Sequence, residues 1–247
     1  MKTKVIFVAF TLAAILFGLT ALKAAEPIDL PLQQMHQDVL ASTRVNTSVN
    51  GQSVTQFRNI PAADAQTTAA RFKAILLTED FGATSGGATR VRMCADVAQR
   101  LLPALADIPP DPSGQNLQVL AAVEAFLGKV SDSIDPNWQF QPVSANITPP
   151  AGVPNAAAGM NPDAINDPQK RQAYLDGIAA EQSKQLKNSQ QTELRNARDG
   201  VLSLVTGLMV PEGKNGWTIE ELYKHFAKDD QSRAILTSHL KRTGKLR

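Results

Sequence analysis

Cysteine, histidine and aromatic residues are scarce in this chain. It has one Cys and three His among 247 residues, and Phe, Trp and Tyr together make up 5% of it. A single cysteine excludes an internal disulfide framework and a cysteine-rich zinc site. The sequence also lacks the G-x-S-x-G, H-E-x-x-H and calcium-loop patterns, so it does not indicate the enzyme and metal-binding classes that carry them.

A strong excess of one charge is also missing. The 25 basic and 23 acidic residues give a formal net charge of +2. Although the isoelectric point is about 8.7, this is not the basic footprint of a nucleic-acid-binding domain. The hydrophobic fraction of 43% is enough for a core and excludes a wholly disordered chain. The length fits one large or two small domains.

The one long apolar run lies at the N-terminus. Lys2 and Lys4 precede the apolar residues 5–22, and the small residues Ala24 and Ala25 follow. This pattern predicts a signal peptide over residues 1–24 and an exported protein, periplasmic or extracellular. Because 18 apolar residues sit at the lower limit for a bilayer span, an uncleaved N-terminal membrane anchor is the alternative. Loss of Lys2, Lys4 and Lys23 leaves 22 basic against 23 acidic residues, so we expect no nucleic-acid partner.

The most regular apolar pattern lies in residues 61–131. Pro61 suits a first helical position, and three segments repeat apolar residues at spacings of three and four. The stripes include Ala65, Ala69, Phe72 and Leu76, then Val91, Cys94, Ala98 and Leu101, then Leu120, Val123, Phe126 and Val130. They predict a three-helix core. Pro103 is expected to kink or shorten the end of the second helix.

Two segments have little helical periodicity. We expect residues 25–60 to form a loosely structured lead-in with a short helix over 32–40, and the pattern leaves open a brief strand over 53–57. Residues 132–167 are rich in Pro, Ala and Asn, which predicts a long connection, either draped over the helices or acting as a linker. Trp138 and Phe140 are expected to attach its start to the core.

Helical periodicity returns over residues 168–210. They form either one long helix or a broken pair, with a break near Asn188 or at Gly200 as the alternative. A continuous helix from 168 to 209 would be about 60 Å long. Residues 181–193 contain one apolar residue, Leu186, so we expect the helix to be solvated almost all round there.

The C-terminal residues 211–247 are expected to form a separate helical hairpin. Thr218 and Glu221 have the spacing of a capping box, with Trp217 and Leu222 placed as its hydrophobic staple. The apolar residues of the first helix would face Ile235, Leu236 and Leu240 of the second. The predicted fold is all-α: a helical bundle of short amphipathic helices, a long and partly solvated helix, and this hairpin.

One glycine pattern comes close to a phosphate-binding loop. Gly82 and Gly87 have the G-x4-G spacing, and Thr89 suits the metal-binding hydroxyl. However, Ala88 occupies the position of the lysine that would reach the phosphates. We therefore expect an ordinary helix–helix loop and assign no cofactor.

The other reactive side chains are better explained by structure. Cys94 falls on an apolar stripe and is expected to be an inert buried thiol. Glu221 and His225 share a helix face, but His239 would lie roughly 9 Å further along the hairpin. Adjacent acidic pairs at 79–80, 220–221 and 229–230 do not face each other on a helix. The sequence therefore assigns no catalytic or metal-binding residue.

The last seven residues, KRTGKLR, carry four positive charges and no acid. They make Lys241, Arg242, Lys245 and Arg247 candidates for contact with an anionic surface or an acidic partner. The alternative is a solvated, disordered tail.

The sequence favours an exported, non-enzymatic protein with a binding or scaffolding role in the bacterial envelope or exterior. Its partner would be an unknown protein or an anionic envelope component, with membrane contact only through an uncleaved N-terminus. Residues 160–180 resemble a segment of exported bacterial helical proteins, a resemblance that implies no activity. The alternative function is an envelope hydrolase with a carboxylate-based site between helices. Two buried carboxyls with raised pKa in one pocket would favour that alternative.

Overall fold

The computed structural model describes residues 30–49, 52–106, 117–144, 167–209 and 216–246. The signal segment 1–24 and most of the Pro/Ala/Asn-rich connection lie outside these ranges. The helices are α1 (Leu30–Thr43), α2 (Ala62–Thr78), α3 (Gly87–Leu101), α4 (Leu117–Ser133), α5 (Pro168–Val205), α6 (Ile219–Phe226) and α7 (Asp230–Arg242). The fold is mostly helical, as predicted. Among the helices in these ranges, none is both long and apolar enough to cross a membrane.

The described part of the lead-in is more regular than its sequence pattern predicts. Leu32, Met35 and Val39 of α1 are buried, so the helix packs on the core and extends to Thr43. An antiparallel hairpin follows, made of β1 (Arg44–Val49) and β2 (Gln52–Phe57). Because all six β2 residues are exposed, apolar alternation could not mark this strand in the sequence.

Helices α2, α3 and α4 lie where the apolar stripes predict them. Their stripe residues are buried in one core with side chains from α1, α5, α6 and α7, except that Leu120 is partly buried against it. Pro103 lies in a 3-10 turn, Leu102–Leu105, that ends α3, which confirms the predicted shortening. Helix α3 packs along α5, where a side chain at Gly200 would meet Nε2 of Gln99 at 2.7 Å.

Helix α5 is continuous over 38 residues, which corresponds to about 57 Å. Asp167 caps its start by accepting hydrogen bonds from the backbone of Gln169 and Lys170. Its buried residues begin at Asn188, so residues 168–187 form a helical arm and residues 188–205 belong to the core. The expectation of an almost fully solvated 181–193 is therefore wrong for its last turns, where Asn188, Gln190 and Gln191 are buried.

The C-terminal helices begin as predicted but do not form a separate hairpin. The Thr218–Glu221 capping box is present, and Trp217 and Leu222 are buried. Helix α6 packs chiefly on α4, and α7 packs chiefly on α5. Their buried side chains therefore join the main core instead of packing mainly against each other.

Candidate functional site

Buried amides of α5 hold the extended chain that follows α4. Asn188 donates through Nδ2 to the carbonyl of Gln141 at 2.6 Å and accepts from its backbone N at 3.1 Å. A carboxamide can pair in this way with both main-chain groups of one residue because it carries a donor and an acceptor side by side. Asn188 thus satisfies both main-chain polar groups of Gln141, as a neighbouring strand would.

Two further amides continue this support. Gln191 accepts from the backbone N of Asp135 at 2.9 Å and donates to the carbonyl of Ser133 at 3.1 Å. Gln190 donates to the carbonyl of Phe81. Because these groups are buried, each hydrogen bond avoids the free-energy cost of an unpaired polar group. The chain from Ser133 to Ser144 is therefore fixed against α5.

The predicted attachment of this segment to the core is wrong for Phe140, and Trp138 attaches it to α5 through a cation instead of through apolar packing. Trp138 lies under the guanidinium of Arg195, with 4.6 Å from Cζ to the ring centroid, and Phe140 is 66% exposed. The segment is held by main-chain hydrogen bonds to amides and by this cation–π contact. An exposed aromatic ring is consequently left beside α5.

An open groove, which we name the arm groove, runs between this segment and α5. It has a volume of about 700 Å³. Its apolar lining residues are Phe140, Val143 and Ile178, and its polar lining residues are Ser144, Glu181, Gln182, Gln185, Asn188, Ser189, Thr192 and Glu193. Leu175, one turn before Ile178, is also exposed. The groove therefore combines an apolar patch with a row of amides.

Glu181 links the two sides of the arm groove. It accepts hydrogen bonds from Lys184 Nζ at 2.7 Å and from the backbone N of Ser144 at 2.9 Å. The hydrogen bond from Lys184, followed by that from Ser144, lowers the pKa of Glu181 below its ordinary value. Glu181 therefore stays ionised and ties the extended segment to the arm.

A second concave site lies between α4, α6 and the start of α7, and we name it the carboxylate cavity. Its volume is about 260 Å³. It is lined by Glu124, Leu127, Gly128, Ser131, Asp132, His225, Phe226, Lys228 and Asp229. Glu124 lies 2.6 Å from Nδ1 of His225 and 3.1 Å from Nζ of Lys228. The site thus has the carboxyl groups that a hydrolase would need.

Asp229 in this cavity does not meet the condition for a general acid. Burial alone would raise its pKa, but hydrogen bonds from Ser232 and Ser131 and the charge of Arg198 outweigh burial and lower it. The backbone N and the hydroxyl of Ser232 donate at 2.8 and 2.7 Å. Asp229 is therefore the ionised N-cap of α7.

The glycine loop between α2 and α3 is closed by its own residues. A Cβ on Gly87 would lie 1.9 Å from the carbonyl oxygen of Gly82, so the turn requires glycine there. Arg90 reaches back over the loop and donates to Oγ1 of Thr84 at 3.0 Å. The loop is therefore a helix–helix turn, as predicted from the alanine at position 88, where a phosphate-binding loop has lysine.

Cys94 is fully buried, as predicted. Burial raises the pKa of its thiol, and the nearby charge of Glu79 raises it further. Nucleophilic cysteines need a lowered pKa and access to substrate. Cys94 has the opposite environment.

The three histidines all pair with carboxylates on other helices. The pairs are His36–Asp96 at 3.0 Å, His225–Glu124 at 2.6 Å and His239–Asp199 at 2.9 Å. Arg242 donates to Nδ1 of His239 at 2.7 Å, so that nitrogen is an acceptor and Nε2 carries the proton given to Asp199. Glu221, His225 and His239 thus have separate partners. Within the described ranges, no group of three or more His, Cys, Asp or Glu could hold a metal ion.

The basic C-terminal residues have different environments. Lys241 and Arg242 are exposed, and Arg242 contacts His239. Lys245 is half-buried and donates to the carbonyls of Thr206 and Met209, at the two ends of the 3-10 turn that follows α5. Arg247 lies outside the described residues. Lys245 therefore supports the C-terminus of α5, and an interaction role for Lys241, Arg242, Lys245 and Arg247 stays a prediction.

A cationic groove also lies between α6 and α7. Its lining residues are Ile219, Glu220, Tyr223, Lys224, Lys228 and Arg233. The described tail residues 241–246 do not line it. The sequence pattern missed it because the cations come from two helices and the intervening turn, and the only signal is the excess of basic residues in the C-terminal segment.

Comparison of the chain with protein-family models, with curated protein sequences and with solved structures finds no match.

Proposed function

We propose that this protein is an exported, non-enzymatic binding protein of the bacterial envelope or exterior, and that the arm groove receives an extended segment of a partner polypeptide. The observation that carries this proposal is the apolar part of the groove lining, formed by exposed Phe140 and Val143 with half-buried Ile178, beside the exposed amides of Gln182 and Gln185. Exposed apolar patches bordered by polar residues are typical of protein interaction sites. The signal pattern of residues 1–24 supports export.

The amides of the groove favour a polypeptide as the occupant. Asn188 already pairs with both main-chain groups of Gln141. Gln182 and Gln185 line the same groove and are exposed, with no hydrogen-bond partner among the described residues. They offer the same paired donor and acceptor to a second extended chain, while the apolar patch would cover its alternate side chains.

A hydrolase is the second candidate, favoured by the three carboxyl groups in the carboxylate cavity. Two of them already have other roles: Glu124 pairs with His225 and Lys228, and Asp229 caps α7. Acid catalysis needs a carboxyl that is protonated at working pH, whereas the pKa of Asp229 is lowered. The binding role is therefore the stronger proposal.

Site-specific photocrosslinking in the bacterial envelope tests the binding role. A photoreactive amino acid at Gln185, in the groove, should yield a crosslinked protein that the same residue at exposed Gln118 on α4 does not. Phe140→Ser should abolish the crosslink, because it removes the most exposed apolar side chain of the groove. Phe57→Ser, which removes an exposed phenylalanine from β2, is the matched control. Equal crosslinking from Gln118, or an unchanged crosslink in Phe140→Ser, would contradict the proposal.

A further inference from the structure

The cationic groove between α6 and α7 concentrates positive charge in a folded part of the chain. Three of its six lining residues are Lys224, Lys228 and Arg233, against one acid, Glu220. The other acids of α6 and α7 are at the helix starts: Glu221 completes the capping box, and Asp230 lies in the first turn of α7. Acids at these positions stabilise the helices. Lys224 and Arg233 have no ion-pair partner among the described residues, whereas Lys228 pairs with Glu124.

The groove also has a fixed shape. The hydroxyls of Tyr223 and Thr237 lie 2.8 Å apart and link α6 to α7. Nε of Arg233 donates to the carbonyl of Ala227 at 3.1 Å, which orients the guanidinium. Its two terminal NH2 groups have no hydrogen-bond partner among the described residues. A guanidinium held in this way is prepared for a bidentate bond to an oxyanion.

Lys224 and Lys228 supply the other charges. Lys224 is exposed and has no ion-pair partner in the ranges that the structure describes. Lys228 shares the carboxylate of Glu124 with His225. Lys224 lies on α6 and Lys228 lies in the turn that follows it, and both line the groove. They can therefore contact successive acidic groups of one ligand.

We propose that this cationic groove binds an acidic polypeptide segment, with carboxylates on Arg233 and Lys224 and an apolar side chain on Ile219 and Tyr223. Ile219 and Tyr223 are partly buried against the core, and an apolar group would cover their remaining surface. A phosphate polymer has no such group. A membrane-surface helix normally presents large apolar residues to the lipid, and residues 216–246 expose none.

The test is a fluorescence anisotropy titration with protein expressed from the full sequence. The probe is a short fluorescein-labelled peptide of alternating Glu and Leu. Arg233→Gln and Lys224→Gln should each weaken binding about tenfold, the usual loss when a hydrogen bond to a charged group is removed. Arg233→Lys should give an intermediate loss, because it keeps the charge but not the planar fork. Lys224→Gln breaks no contact within the described chain, so it does not threaten the fold.

Lys73→Gln is the matched control, since Lys73 is exposed on α2 and this variant has the same net charge as Lys224→Gln and Arg233→Gln. It should weaken binding less than about twofold. An equal loss of binding in Lys73→Gln would show that the affinity depends on net charge alone, and it would overturn the proposal that the peptide binds in the groove. Tighter binding of inorganic polyphosphate or of anionic phospholipid vesicles, lost in the same variants, would overturn the polypeptide assignment. Because the two grooves share no lining residue, failure here leaves the arm-groove crosslink as a separate question.

Discussion

Residues 168–187 and 188–205 form two halves of one helix, yet the first half contains no buried residue and the second contains nine. The arm half is stabilised locally, by the Asp167 cap and by i, i+3 and i, i+4 pairs such as Lys184–Glu181 and Gln172–Asp176. The core half is stabilised by burial against α3, α4 and α7. The continuity of a helix therefore says nothing about where its stability comes from.

The largest expected difference between the halves comes from the same substitution in each. Leu194→Ala removes a fully buried side chain and should lower the free energy of unfolding by about 2–5 kcal/mol. Leu175→Ala, at a 39% exposed position of the arm, should change it by less than about 0.5 kcal/mol. Urea unfolding followed by circular dichroism measures both. Similar losses in the two variants would show that the arm is packed.

A smaller difference is expected for the amides. Asn188→Ala leaves the main-chain groups of Gln141 without their side-chain partner and should cost about 1–3 kcal/mol. Gln185→Ala, one turn earlier and exposed, should be nearly neutral. Hydrogen exchange should also speed up for the amide of Gln141 in the first variant only. Unchanged exchange at Gln141 in Asn188→Ala would mean that the segment is held elsewhere.

The smallest expected effect concerns how the free energy of unfolding depends on pH in the acid range. The pKa of Glu181 is lowered in the folded protein, chiefly by Lys184 and then by Ser144, so its ionised form favours folding. This contribution is complete above the ordinary Glu pKa of about 4.3 and is lost as the pH falls through the lower folded value. Glu181→Gln should therefore flatten the fall in unfolding free energy below that pH. An identical acid profile in the variant would contradict this assignment.

The sequence predicted the parts of the fold in which burial follows helical periodicity. Phe72, Cys94 and Phe126 lie on regular apolar stripes, and all three are buried. The capping box at Thr218 could be predicted because its two residues have a fixed spacing. These features depend on neighbours within one or two turns.

The two grooves could not be predicted from the sequence. The arm groove joins segments that are distant in sequence, and the cationic groove is lined by charged residues that look like those of any solvated helix face. Asn188 and Gln191 have the polarity of a solvated helix face. They are buried only because the segment of the same chain that contains Asp135 and Gln141 packs over them. One signal was present: residues 181–187 carry charges, whereas 188–192 are uncharged amides and hydroxyls. Uncharged polar side chains can be buried at a lower free-energy cost than charged ones.

The role of Lys245 changes how the basic tail should be studied. Its ammonium group binds the carbonyls of Thr206 and Met209, so deletion of residues 241–247 would disturb the end of α5 as well as remove charge. Single substitutions at exposed Lys241 and Arg242 separate the two effects. Arg242 also contacts His239, which makes Lys241→Gln the cleaner variant.

Cys94 makes it possible to measure how often the core of this protein opens. The chain has no other thiol, and this one is fully buried with a raised pKa. A thiol reagent can therefore react only with molecules in which the packing of α3 against its neighbours has transiently opened. The modification rate of the unaltered protein would report the frequency of that opening, and a partner bound in either groove could be detected by how far it slows the reaction.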